Sequence, residues 1–300
     1  MPWPTIPTQL TTRPFSTSEA RLAGVTDRML SDHRFDRVVH GVHDVAESSS
    51  LAERERVRRL VRAVQVARPD TVASCLAAAM LYDLPVPAHP IDVHVTAVRL
   101  LRRPEVVAHR RLLDEVRVVE GIRLTAPVVT FFDLAAELRP PWLLAIGDAF
   151  AQLGHFTTPE LIAAAAGAPP RRGVRNARRI APLVRVGSES PMESLLRFAI
   201  IEANLPEPVP NGPAHDRLGN WLARVDLSYP ALRIAVEYQG DHHRSDVHQW
   251  RADISRTRAL QAAGWLVIFV TADDLGTPGP LLRSIRRALY ERGWRPGPVD

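Results

Sequence analysis

Hydrophobic and polar positions change period several times along the C-terminal third of this chain. SPMESLLRFAIIEANL carries its apolar residues at helical spacing, with Ser190 placed as N-cap and Pro191 at the first helical position. WLARVDLSYP and LRIAVEYQG read as strands on either side of Tyr229 and Pro230, which predicts a hairpin. SDVHQWRADISRTRALQAAG returns to a helical pattern, and Gly264 stands where that helix must stop. WLVIFVT reads as a buried strand and GPLLRSIRRALYERG as a closing helix. The predicted order is helix, strand, strand, helix, strand, helix.

The N-terminal pattern is different. Ser16 and Glu19 have capping-box spacing and open one short helix, which Gly24 breaks. Thr26 is placed to cap a second helix, TDRMLSDH, and FDRVVHGVHDV reads as two short strands turning at Gly41. Helix, turn, helix, hairpin is the order of a winged helix. In that arrangement the second helix enters a major groove, and Arg28 near its N-terminus is the candidate DNA contact.

Between these regions lie a charged helix, LAERERVRRLVRAVQVA, a strand, IDVHVTA, strands around VRVVEGIRLT, and a helix, TFFDLAAEL, after Pro127. The stretch 169–182, PPRRGVRNARRIAP, has no hydrophobic period and reads as a linker or docking segment. Four segments are therefore expected: a winged-helix-like domain over 1–47, an α+β middle domain over 48–168, a basic linker over 169–184 and a C-terminal domain over 185–300. The class expected is an α+β multidomain protein.

Composition narrows the picture. The chain has 300 residues, 46% of them hydrophobic, enough for more than one core. No window approaches the ~18 uninterrupted apolar residues that span a bilayer. The start, MPWPTIPTQLTTRPF, lacks the basic and apolar regions of a secretory signal, so a cytoplasmic protein without a membrane partner is expected. A single cysteine, Cys75, excludes an internal disulfide and a Cys-rich zinc site. Cys75, His94 and Asp133 read as structural residues of the middle domain. Net charge is +5, and all 38 basic residues are arginine. Arginine is the side chain suited to bidentate phosphate contact, although a solvated basic face would have the same composition.

Side chains alternate along a strand. Glu237 and Gln239 therefore share one face of RIAVEYQG, and Asp226 shares a face with Arg224 in ARVDLS. If the hairpin brings these faces together, Asp226 and Glu237 converge. Two carboxylates on adjacent strands suit Mg²⁺ (or Mn²⁺), which takes oxygen ligands and often only one or two protein carboxylates. Glu193 is a third candidate, three residues after Ser190, where it could equally close a capping box. His243, just past the second strand, is a candidate for proton transfer or a solvated turn residue. His242 and His248 read as exposed or packing residues. A zinc site from these three histidines lacks the usual helical spacing.

SPMESLLR, RVDLSYP, IAVEYQGDHH and ADISRTRALQAAGWLVIFVT together have the frame of the PD-(D/E)xK nuclease fold. More narrowly, residues 190–274 resemble an uncharacterised bacterial family related to the very-short-patch repair endonucleases. Its pattern carries onto Glu193, Asp226, Glu237, Gly240, His243, Asp253, Arg256, Leu260 and Gly264. The resemblance implies a restriction-endonuclease-like α/β/α core with a mixed sheet. It also implies metal at Asp226 and Glu237, with Asp253 and Arg256 in support. Gln239 departs from it, since the fold usually has Lys there and the closer family Asp. Glutamine can orient water or a phosphate, but it is neutral. The first 180 residues more loosely resemble the AbiEi antitoxin family, which implies DNA and a cognate toxin as partners.

The expected function is a Mg²⁺-dependent DNA endonuclease or nickase. The alternative is a DNA-binding regulator of antitoxin type with a silent nuclease fold, in which Asp226 and Glu237 are salt-bridged to Arg224 and Arg256.

Overall fold

The computed structural model describes residues 5–46, 51–87, 92–99, 102–240 and 247–296, with the backbone alone over 247–252. The chain divides into two compact units, Met1–Glu137 and Leu138–Asp300.

The first unit runs β1 (Phe15–Ser16), α1 (Thr17–Leu22), α2 (Asp27–Leu30), β2 (Phe35–Val39), β3 (Val42–Val45), α3 (Glu53–Ala67), β4 (Val72–Ala73), α4 (Cys75–Leu81), β5 (His94–Ala97), β6 (Val107–Arg110), β7 (Val116–Val119), β8 (Ile122–Thr125) and α5 (Pro127–Leu134). Ser16 and Glu19 close a capping box on α1, and Thr26 caps α2. Between the two helices Gly24 adopts φ +81°, a backbone that favours glycine. The hairpin β2–β3 takes β1 as a third strand, in the order β1-β3-β2. Leu10, Phe15, Ala20, Val25, Leu30 and Phe35 form the small core beneath it. The five-stranded sheet has the order β6-β5-β4-β8-β7.

The division expected after residue 47 is not observed. Helix α3 packs against β2 and β3, and Arg59 bonds Asp44 at 3.0 Å and Asp36 at 2.8 Å. The same helix reaches the later strands, where Gln65 donates to the Arg123 carbonyl at 2.9 Å. One helix thus serves both sheets.

The second unit runs α6 (Pro140–Gln152), α7 (Thr158–Gly167), α8 (Val174–Ile180), α9 (Pro191–Glu202), β9 (Val209–His215), β10 (Trp221–Tyr229), β11 (Ile234–Tyr238), α10 (Val247–Ala262), β12 (Leu266–Val270), α11 (Ala272–Gly276) and α12 (Gly279–Glu291). The sheet order is β12-β11-β10-β9; β11 and β12 are parallel and the other pairs antiparallel. Leu196 and Ile200 of α9 and Ile285 and Leu289 of α12 share one core with Leu227, Val236 and Val270. Leu260 of α10 packs in a separate cluster with Ala223, Val225 and Ala235. The sheet therefore lies between helical layers. Along β10, Val225 and Leu227 belong to different clusters, so simple alternation fails at Asp226. Gly264 ends α10 with φ +87°.

Two further features depart from the sequence reading. The stretch 169–184 is not an open linker: α8 buries Val174, Ala177 and Ile180 and packs against α6 and α7. Strand β9 was not expected, because Pro210, Gly212 and Pro213 weaken any strand pattern. It is an edge strand, where a missing amide donor is tolerated. No helix among the described residues is long and apolar enough to cross a membrane.

Candidate functional site

The pairing of β10 with β11 ends at Leu227↔Val236. The next residues outward are Asp226 and Glu237. There a side chain takes over from the backbone: Tyr238 N donates to Asp226 Oδ2 at 2.8 Å. Strand β11 continues beside β12 through Glu237↔Phe269 and Tyr238↔Val270. Gln239 N then donates to the Val270 carbonyl at 2.7 Å, and the residue is half-buried. The two carboxylates thus stand where two strands fork.

Glu237 is 2% exposed. Its Oε2 accepts from Arg256 Nη2 at 2.6 Å. Its Oε1 is buried with no hydrogen-bond partner among the described residues. Burial pushes the carboxyl up to about 7; Arg256 opposes the shift and Asp226 adds to it. Arg256 also donates to the Arg224 carbonyl at 3.2 Å and lies 3.8 Å from Asp253 Oδ1.

Glu193 enters from the first turn of α9, whose N-cap, Ser190, accepts from Glu193 N at 3.3 Å. The capping box is not closed. Glu193 Oε2 instead accepts from Glu189 N at 2.9 Å and from Asn211 Nδ2 at 3.3 Å. Burial pushes this carboxyl up to about 7 as well, with repulsion from Asp226 and Glu189 contributing. Asp226 is the common neighbour that raises both glutamates. The guanidinium of Arg224 meets Glu189 at 2.5 Å.

The other candidates fall as follows. His243 and His242 lie outside the described residues, as does the side chain of His248. Arg28 is exposed on the one-turn helix α2 of the other unit. Asn211 was missed. It has φ +47°, and the β9–β10 register sets it across from Asp226. The signal was the Asn-Gly dipeptide at 211–212, a pair prone to left-handed backbone. Asp133 is structural, held by Arg111 at 2.6 and 2.8 Å. Cys75 and His94, by contrast, are brought together with His109 and Glu137 in a cluster that could hold a metal ion.

Over 257 residues the chain is 30% identical to an uncharacterised protein of Mycobacterium tuberculosis, MT2308 in strain CDC 1551 and Rv2248 in strain H37Rv. The alignment covers 84% of this chain and 92% of the mycobacterial one. The chain belongs to that protein's family. No family model and no solved structure matches the chain.

Proposed function

We propose that the second unit is a Mg²⁺- or Mn²⁺-dependent endonuclease or nickase acting on DNA. The observation that carries this reading is the fork of β10 and β11. Two glutamates are raised there to about 7, each with Asp226 adding to the shift, and one buried oxygen, Glu237 Oε1, has no partner among the described residues. Such an oxygen is costly to bury and fits a metal ligand. Asp226 and Glu237 would hold the ion, with Glu193 assisting from α9. The ion would supply an activated water and neutralise charge on the scissile phosphate. Gln239 would orient water or phosphate, and His243 would serve proton transfer. Asp253 and Arg256 would support Glu237 from α10. The first unit would contribute DNA binding through a winged-helix-like arrangement of α1, α2 and the β2–β3 hairpin, with Arg28 exposed on α2.

The test is incubation with supercoiled plasmid in Mg²⁺, Mn²⁺ or chelator. Cleavage with either cation that is lost in Asp226→Asn and Glu237→Gln supports the reading. A well-folded protein that never cleaves sinks it.

One observation favours a second reading. Arg256 already pairs with one oxygen of Glu237, and the neutral Gln239 stands where the nuclease frame usually has a cation. A DNA-binding regulator of antitoxin type, with a silent nuclease fold, would need no metal here. It would bind duplex without cutting it.

A further inference from the structure

We infer that Cys75, His94, His109 and Glu137 form a binding site for a thiophilic divalent cation, Zn²⁺ first among them. This site is independent of the carboxylates at the β10–β11 fork, and all four residues belong to the first unit.

The four arrive from separate elements. Cys75 is the first residue of α4, separated from the short strand β4 only by the N-cap Ser74, and is 4% exposed. Strands β4 and β5 pair at Ala73↔Val95, and Ser74 N continues that ladder to the His94 carbonyl at 3.0 Å. His94 is thereby set beside Cys75. Strand β6 runs parallel to β5, and the rung Thr96↔His109 brings His109 onto the same side as His94. Glu137 closes the group from the turn after α5, where its N–H donates to the Leu134 carbonyl at 3.0 Å. One ligand atom from each residue lies within 4.8 Å of all the others.

Three arguments point to a cation rather than to a chance cluster. The first is geometry. Zn–N bonds of ~2.0 Å and Zn–S bonds of ~2.3 Å give a tetrahedron with edges of roughly 3.3–3.8 Å. His94 Nδ1 lies 3.2 Å from Glu137 Oε1 and 3.2 Å from His109 Nε2. Small side-chain rotations would close the rest.

The second is proton accounting. His94 Nδ1 carries at most one proton. Glu137 can only accept, so that proton belongs between His94 and Glu137. His109 Nε2 can share that proton only as an acceptor, in its Nδ1–H tautomer, so one proton is left to serve two contacts. A cation at the centre instead takes a lone pair from each of the three atoms.

The third is chemistry and charge. A thiolate, two imidazoles and a carboxylate are zinc ligands, whereas Mg²⁺ would not select sulfur and nitrogen. Thiolate and carboxylate balance the ion's two charges. The neighbouring acid, Asp133, is already neutralised by Arg111. Cys75 also adopts φ +52°, a costly conformation for a residue with a Cβ, and such strain gathers at sites that need one side chain aimed. With four protein ligands the site is of the closed, structural kind. It would clamp the edge strand β6 and the end of α5 onto the β4–α4 turn. His109 and Glu137 are exposed and give the ion a way in.

The test uses the full chain. Elemental analysis of protein purified with Zn²⁺ supplied should find about one zinc per chain. Co²⁺ in its place should give the visible bands of tetrahedral coordination and a near-ultraviolet thiolate-to-cobalt band. Cys75→Ser should remove the thiolate band. His109→Ala, at an exposed position, should lower zinc retention at least tenfold with the circular dichroism unchanged. Asp226→Asn should leave zinc content untouched. If Cys75→Ser does not fold, His109→Ala decides. Folded wild-type protein that takes up neither Zn²⁺ nor Co²⁺, or a His109→Ala variant that binds them as wild type does, overturns the proposal.

Discussion

Glu237 meets Arg256 through one oxygen only: Oε2 accepts from Nη2 at 2.6 Å, while the buried Oε1 accepts from nothing among the described residues. A carboxylate kept for scaffolding would have both oxygens satisfied, since an unpaired buried acceptor costs ~1–3 kcal/mol. Replacing it with an isosteric neutral group separates the two roles. Glu237→Gln should abolish metal-dependent cleavage and leave thermal stability unchanged or slightly higher. Arg256, about a third exposed, can turn to solvent when its partner is lost. A variant that melts far below wild type would assign the carboxylate to the scaffold.

The raised carboxyls set a pH dependence. Glu193 and Glu237 rise from 4.5 to about 7, chiefly through burial. Between those values the folded chain binds more protons at these groups than the unfolded chain. Their contribution to stability therefore falls as pH rises from about 4.5 to about 7. In chelator, wild type should lose stability relative to a Glu193→Gln, Glu237→Gln double variant across that window. Mg²⁺ competes with protons for the same oxygens, so it should stabilise wild type at about pH 8 and not at about pH 5. Melting curves at the two pH values, with and without Mg²⁺, check both. A difference that does not vary with pH would mean these glutamates stay ionised throughout.

The sequence made the local signals legible and the tertiary ones only in part. Ser16, Thr26 and Ser190 cap the helices they were expected to cap, because an N-cap depends on only a few neighbouring residues. The placing of Asp226 and Glu237 at the end of the β10–β11 pairing could be argued because a hairpin is short and its register follows from the turn. Strand β9 was hidden by its prolines, which only an edge position tolerates. Helix α8 was hidden because arginines cover the exposed side of a seven-residue helix, and its buried residues are too few to show a period. The Cys75 cluster was hidden most deeply. Its ligands stand at 75, 94, 109 and 137, a spacing set by sheet topology rather than by any local motif. The role given to His243 rests on sequence alone.

The first unit supplies a prediction about DNA. Arg28 is exposed and pairs with no acid among the described salt bridges, whereas the adjacent Asp27 is taken by Arg21 at 2.7 Å. If α2 faces a duplex, Arg28→Ala should weaken binding and lower the slope of log affinity against log salt by about one. Titration of a labelled duplex at several salt concentrations measures this. An unchanged slope would take Arg28 off the phosphate backbone. No binding by wild type at low salt would remove both functional readings together.

The ion pair between Asp148 and Arg197 dictates where the second unit can be cut. Arg197, on α9, has a fully buried side chain. Its Nη2 donates to both oxygens of Asp148 on α6, at 2.9 and 2.7 Å. Its Nη1 donates to the Leu183 carbonyl and to Glu207, each at 2.8 Å. Asp148 in turn accepts from Arg185 N at 2.8 Å and Ser194 Oγ at 2.7 Å. The guanidinium at the heart of α9 is therefore neutralised by a helix that precedes the expected boundary at residue 185. A fragment of residues 185–300 keeps Arg197 but loses Asp148 and Leu183, leaving a buried charge short of partners. Removing one member of such a pair costs ~3–5 kcal/mol, a large share of a small domain's stability. The fragment 185–300 should accordingly be unfolded or aggregated. The fragment 138–300 should be soluble, with a cooperative melt. In the full chain, Asp148→Ala should destabilise the second unit by that same ~3–5 kcal/mol. Asp148→Ala together with Arg197→Met should recover much of the loss, because the second change removes the stranded charge. Chemical denaturation of the four proteins decides it. A 185–300 fragment that folds as well as 138–300 would show that α6 and its aspartate are dispensable to the sheet.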